Sequence, residues 1–227
     1  NSMGLIGTLT PLPGGEAGTL IAGVVKTFTV RTEILNADIR AAAFGSIRVG
    51  GSITVNDDGS ISAEKISSLA VGGSIVGGNG FDDGSVQADE IGSVIIRGSL
   101  IGGSGGDSGT IQAGRIGRVF IGGDIRGGFE VDVAMIDSEG AIASLTVNGS
   151  IFPNEATGVR ASSVGAIKIG GSIDGSRTTV SSVEGLEIDA VKSLSIAGDL
   201  RASHIRIENL GIFHVGGSII GGALPLS

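Results

Sequence analysis

Cysteine, tryptophan and tyrosine are absent from this 227-residue chain, and proline occurs only 4 times. Without cysteine there is no disulfide scaffold and no thiol chemistry. The aromatic supply is 7 Phe, too few for a deep aromatic core or for a platform that stacks bases. Positive charge is also short: 15 Lys and Arg against 23 Asp and Glu leave a net charge of −8. A nucleic-acid partner needs a basic face, so the composition argues against one. No apolar run approaches the ~20 residues of a membrane span. No leader segment is legible, and Asn1-Ser2-Met3 reads as a remnant of trimming.

What is abundant is glycine, 43 of 227 residues, roughly three times the usual share. The apolar residues are mostly Ile, Val, Leu and Ala. That supply suits many thin layers of β-branched side chains.

Self-similarity organises the chain. Ile66-Ser-Ser-Leu69-Ala-Val71-Gly-Gly-Ser74-Ile75 recurs as Ile91-Gly-Ser-Val94-Ile-Ile96-Arg-Gly-Ser99-Leu100. It recurs again as Ile116-Gly-Arg-Val119-Phe-Ile121-Gly-Gly-Asp124-Ile125. Nine matches place the corner residue at Glu33, Ser52, Ser74, Ser99, Asp124, Ser150, Ser172, Asp199 and Ser218, with spacings of 19–27 residues. A short period-two piece precedes most matches, as in Ile61-Ser-Ala63 and Ile111-Gln-Ala113. Length variation concentrates between the corner and that piece, which marks a loop on one side.

One coil cannot bury its apolar face alone, but stacked coils can. The pattern predicts an all-β fold: a right-handed parallel β-helix (β-solenoid) of about nine coils, with three short strands per coil. Residues 1–227 form one domain, with 1–19 as lead-in or cap and 20–227 as repeats. Stacking predicts a polar ladder of Ser52, Ser74, Ser99, Asp124, Ser150 and Ser172. It also predicts an alternating charge column of Lys65, Glu90 and Arg115.

Two resemblances follow from the template. Ile66, Leu69, Val71 and Ser74 fall on the first key positions of a leucine-rich repeat, the alternative fold, yet the Asn/Cys position never holds Asn or Cys. The "IGSVxIxGSI" rhythm, as at Ile91–Leu100, resembles the Gly-rich β-strand repeat tracts of large bacterial surface and secreted proteins. This second resemblance covers essentially the whole chain and is one of repeat style. It implies an extracellular or cell-surface location and a structural or adhesive role without enzymatic activity. It transfers no catalytic residue.

Three candidate sites arise. Gly77-Gly-Asn-Gly80-Phe-Asp82 and Gly102-Gly-Ser-Gly105-Gly-Asp107 resemble the calcium-binding nonapeptide of RTX-type β-rolls, and the stretch ending at Asp132 matches in part. That resemblance implies calcium as the one candidate cofactor, held by Asp82, Asp107 and Asp132, with help from Asp83, Asp57 or Asp58. The competing reading is that Gly and Asp simply populate exposed turns. Ile95 and Phe120, stacked outside the coil, form a candidate contact patch. His204 and His214 fall in adjacent registers of the last two coils, with no third metal ligand apparent. Ser104 within Gly102–Gly106 lacks the strand–turn–helix setting of a nucleophile elbow.

The composition therefore leaves three roles. The first is a structural or adhesive module. The second is a scaffold that polymerises end to end through open coil edges. The third is a polysaccharide-active enzyme built on clustered carboxylates such as Asp57, Asp58, Asp82 and Asp83.

Overall fold

The computed structural model describes residues 2–5, 18–128, 133–153, 156–176 and 184–221. Among the described residues all regular structure is strand, and no helix is present. Nine long strands alternate with nine strands of two residues. A long strand and the short strand after it make one rung. The long strands of rungs 1–9 are Gly18–Val30, Ala37–Val49, Ser60–Ile66 with Leu69–Val71, Ser85–Ile96, Ile111–Ile121, Ile136–Val147, Ala156–Ile169, Glu184–Ile196 and His204–Val215.

Every pairing is parallel and joins each rung to the next. Long strands form one sheet and short strands the other, both in chain order. The chain is therefore a β-solenoid. The segment after each corner builds the second sheet, so the leucine-rich-repeat alternative does not hold.

The expected three strands per coil are separate only in rung 3. Elsewhere the first two run on as one bent strand. In Ile111–Ile121, Ile111 and Ala113 point inward, and the next inward residues are Ile116, Val119 and Ile121. Two successive residues that do not point inward, Gly114 and Arg115, bend the strand without ending its pairing. Most length variation lies in the loops after the short strands, as expected. One exception sits at the bend. Ala113 and Ile116 pair with Ser138 and Ile142, so rung 6 carries an extra residue there.

Stacking aligns equivalent side chains into continuous files. Phe28, Ile47, Leu69, Val94, Val119, Leu145, Ile167, Leu194 and Phe213 are successive partners. The first eight are at most 2% exposed. Ile34, Ile53, Ile75, Leu100, Ile125, Ile151 and Ile173 make the facing file from the short strands. Each such side chain contributes roughly 1.5–3 kcal/mol by leaving water.

The corner residues form the expected polar ladder, and the structure gives its chemistry. Ser52 Oγ accepts the Ser74 N–H at 3.1 Å, Ser74 Oγ that of Ser99 at 3.0 Å, and Ser99 Oγ that of Asp124 at 3.0 Å. Asp124 Oδ1, Ser150 Oγ, Ser172 Oγ and Asp199 Oδ1 continue it to Ser218. This ladder explains the glycine before each corner. A Cβ on Gly73, Gly98, Gly123, Gly149, Gly171, Gly198 or Gly217 would collide with the acceptor of the rung below. One position earlier, at Gly72, Gly122, Gly170 and Gly216, a Cβ would meet a backbone carbonyl of the rung below and not a ladder side chain, and there other rungs carry Arg97, Asn148 and Ala197.

The charge column is also present. Glu90 Oε2 lies 3.1 Å from Lys65 Nζ and 2.9 Å from Arg115 Nη2. A second column was not anticipated: Asp137, Arg160, Glu187 and Arg206 stack with contacts of 3.5–3.7 Å. At the amino-terminal end, Ser2–Leu5 pairs with Thr27–Val30 of rung 1.

Candidate functional site

The Gly/Asp loops leave the short strands of rungs 3 and 4 and lie over one another, as their 25-residue offset predicts. Ser104 N–H donates to Gly78 O at 2.9 Å, and Asp82 N–H donates to Gly106 O at 3.0 Å. Asp58, Asp82 and Asp107 adopt left-handed backbone (φ 48°, 62° and 55°), a conformation that Asp tolerates better than most residues. Gly84 and Gly109 follow with φ of 70° and 65°.

Within these loops the carboxylates are engaged by the chain itself. Asp82 Oδ1 accepts Gln87 Nε2–H at 2.8 Å. Asp83 is fully buried, and its Oδ2 accepts the Gly80 N–H at 2.7 Å. One rung later Ser108 plays the equivalent part, its Oγ accepting the Gly103 N–H at 2.9 Å. Asp83 thus staples its own loop. Its Oδ1 makes no well-formed hydrogen bond among the described residues, although the Asp58 amide lies close enough to favour the charged form. Burial pushes the Asp83 carboxyl above the usual range; the Gly80 amide opposes this, and the nearby Asp58 and Asp57 add to the rise. Burial raises Asp82 as well, against the Gln87 bond.

These bonds bear on the calcium expectation. The structure brings Asp57, Asp58 and Asp83 near one another and places Asp107 one rung above Asp82. Asp132 lies outside the described residues. Among the described residues no group of three or more His, Asp or Glu side chains is placed to hold a metal ion. Asp82 and Asp83 each accept a hydrogen bond from the chain, from the Gln87 side chain and the Gly80 amide, so a calcium ion held there would share or displace those bonds.

The other candidates fall as follows. Ile95 and Phe120 are stacked partners, Ile95 exposed and Phe120 half-buried. Both histidines belong to rung 9, at opposite ends of one strand, and not to two coils. Nine residues of extended chain separate them, so they form no pair. Ser104 Oγ donates to Asn79 Oδ1 at 2.7 Å, a contact between stacked loops.

Sequence reasoning missed a cavity of about 440 Å³ beside the first loop. Asp38, Arg40, Asp58, Phe81 and Asp82 line it. These residues come from rung 2 and from the loops that follow rungs 2 and 3, so only the stacking register reveals them as neighbours. Arg40 Nε lies 2.8 Å from Asp38 Oδ2, and Ser60 Oγ donates to Asp38 Oδ1 at 3.2 Å. Phe81 is 71% exposed. Arg40 also borders an open trough of about 790 Å³ along the bend, with Ala41, Ala63, Ala88 and Ala113 at its floor.

No protein-family model, curated protein or solved structure matches this chain. No helix among the described residues is long and apolar enough to cross a membrane.

Proposed function

We propose that the chain is a non-enzymatic structural or adhesive repeat module of an extracellular or cell-surface bacterial protein. The observation that supports this reading is the parallel stacking of nine successive rungs, in which inward-facing positions stay aligned past the extra residue of rung 6. Inner files, the corner ladder and two charge columns all run along the same axis. Eight steps at the ~4.8 Å strand spacing give a rod of about 38 Å. Bending such a rod would strain the inner files and the corner bonds together, which suits a spacer that holds its ends apart. The direct test is protease shaving and fractionation of cells that encode the protein. The reading expects the chain to be surface-exposed. Recovery from the cytosol, or turnover of an acidic polysaccharide by the purified chain, would overturn it.

A second reading is end-to-end self-association. The observation favouring it is rung 9, where Phe213, Ile219 and Ile220 are 43%, 67% and 43% exposed and continue the apolar and outward files, a face that would accept a further rung whether from the same polypeptide or from another copy. An exposed strand edge beside apolar side chains invites pairing. Electron microscopy of the purified chain separates the readings, with filaments favouring the second and single short rods the first.

A further inference from the structure

Charge on the rod is sorted by side. Residues 26–31 of rung 1 and their stacked equivalents, 45–50, 67–72, 92–97, 117–122, 143–148, 165–170, 192–197 and 211–216, form the half of the long-strand sheet that leads to the corner. No Asp or Glu occurs in any of these nine segments. They carry Lys26, Arg31, Arg48, Arg97, Arg118, Lys168 and Lys192, all exposed. None of these cations forms an ion pair among the described residues. The other described Lys and Arg do the opposite: Arg40, Lys65, Arg115, Arg126, Arg160, Arg201 and Arg206 each stand within 3.7 Å of a carboxylate. A chain of net charge −8 thus keeps its unneutralised cations on one face. Of the acids at its corner border, Glu33, Asp124 and Asp199, the last two are already paired with Arg126 and Arg201.

Hydroxyls line the same face. Thr27, Ser46, Ser68, Ser93, Ser144 and Ser193 share one outward file, which Arg118 interrupts between Ser93 and Ser144. The neighbouring file holds Ile95 and Phe120 at its centre, between Arg48 and Lys168. Gly45, Gly92 and Gly117 border the hydroxyl file where a Cβ would collide with a carbonyl of the rung below, so the surface is low and flat there. Unpaired cations, hydroxyls repeating at the ~4.8 Å rung spacing and a small apolar centre match a ribbon-like polyanion that has hydroxyls and apolar ring faces of its own.

We propose that this face binds an extended acidic polysaccharide. Its anionic groups meet Arg48, Arg97, Arg118 and Lys168, its hydroxyls bond to the serine file, and a sugar ring rests on Ile95 and Phe120. A single-stranded nucleic acid fits less well, because base stacking needs a platform of aromatic rings and the only outward Phe here is Phe120. A duplex groove calls for a protruding helix or ribbon, which a flat sheet face does not offer.

The test is fluorescence anisotropy of a labelled oligogalacturonate against the whole chain at about 0.1 M salt, where screening confines the field of the acids on the other sides to ~10 Å. Arg97→Gln and Arg118→Gln alter exposed, unpaired side chains, so both variants are expected to melt like the parent. Each should weaken binding roughly threefold to tenfold. Arg206→Gln removes the same charge off this face and leaves Glu187 paired with Arg160, so binding should be unchanged. The proposal is overturned if the oligogalacturonate does not bind, if Arg206→Gln weakens it as much as Arg118→Gln, or if neutral dextran competes as well as unlabelled ligand. Tighter binding of a thymidine oligonucleotide of equal charge, or of phosphatidylserine vesicles, would also overturn it, in favour of a nucleic acid or a membrane surface. Binding is read on the purified chain, so a negative result bears on this face and not on where the cell places the module.

Discussion

Ser99 Oγ accepts the backbone N–H of Asp124 at 3.0 Å, across the gap between rungs 4 and 5, and Gly123 is the residue that lets it do so. The bond satisfies a half-buried amide that turns a corner, where no strand partner is available to it.

Ser99→Ala should therefore lower stability by about 1–2 kcal/mol, because the Asp124 amide loses its acceptor. Gly123→Ala should cost about 1–3 kcal/mol through overpacking against Ser99 Oγ and the Gly98 backbone. The two effects should be less than additive, since removing the hydroxyl relieves part of the clash. Denaturant melts of the two single variants and the double variant measure this. Strict additivity would mean that the ladder does not explain the glycine.

Ile91 sits in an inner file between Ile66 and Ile116 and is fully buried. Ile91→Ala should cost about 2–5 kcal/mol, as rungs held on both sides collapse poorly around a void. Urea unfolding checks the value, and a loss well under this range would mean that the stack repacks.

Glu90 is held below its ordinary range by hydrogen bonds from Arg115 and Lys65, with their charges adding to the effect. A depressed carboxylate contributes stability above its unfolded pKa, and that stability is lost as pH falls through the folded value. Glu90→Lys, which stacks three cations, should lower Tm more than Glu90→Gln. Added salt should narrow the gap between the two variants. A gap that salt leaves unchanged would point to packing and not charge.

Asp83 has the opposite sign. Its folded pKa is raised, so its protonated form suits the buried site. Stability is therefore held at low pH and lost as pH rises through the folded value. Asp83→Asn should flatten that loss in a Tm-against-pH series and leave the Glu90 arm in place. If the variant keeps the parent's slope, Asp83 is not the group responsible.

Millimolar calcium should leave Tm unchanged, because Asp82 and Asp83 are bonded to Gln87 and Gly80. A rise in Tm would mean that the loop exchanges those amides for the ion, with Asp107 and Asp132 as the further ligands to test.

Much of the fold was legible because a repeat is its own alignment. The spacings of Ser52, Ser74 and Ser99 fixed which residues stack, and from these came the inner files and the Lys65–Glu90–Arg115 column. The bent strand was not legible, because Gly114 and Arg115 resemble a turn and keep pairing only in the presence of neighbours. The Asp137–Arg160–Glu187–Arg206 column hid behind the extra residue at the bend of rung 6. The cavity at Phe81 was unreadable for a different reason. Its walls come from Arg40, Asp58 and Asp82, and no motif links residues that meet only through stacking.

The side-chain bonds of the corner ladder all point one way, the earlier residue offering oxygen and the later one hydrogen, while the corner carbonyls complement them by accepting from the rung before, as Ser74 O does from the Ile53 N–H. Each finished rung thus offers a growing polypeptide a ledge with both a waiting acceptor and a waiting donor. Synthesis from the amino end should consequently lay this protein down course by course, like masonry, and refolding after full denaturation should be slower than folding at the ribosome.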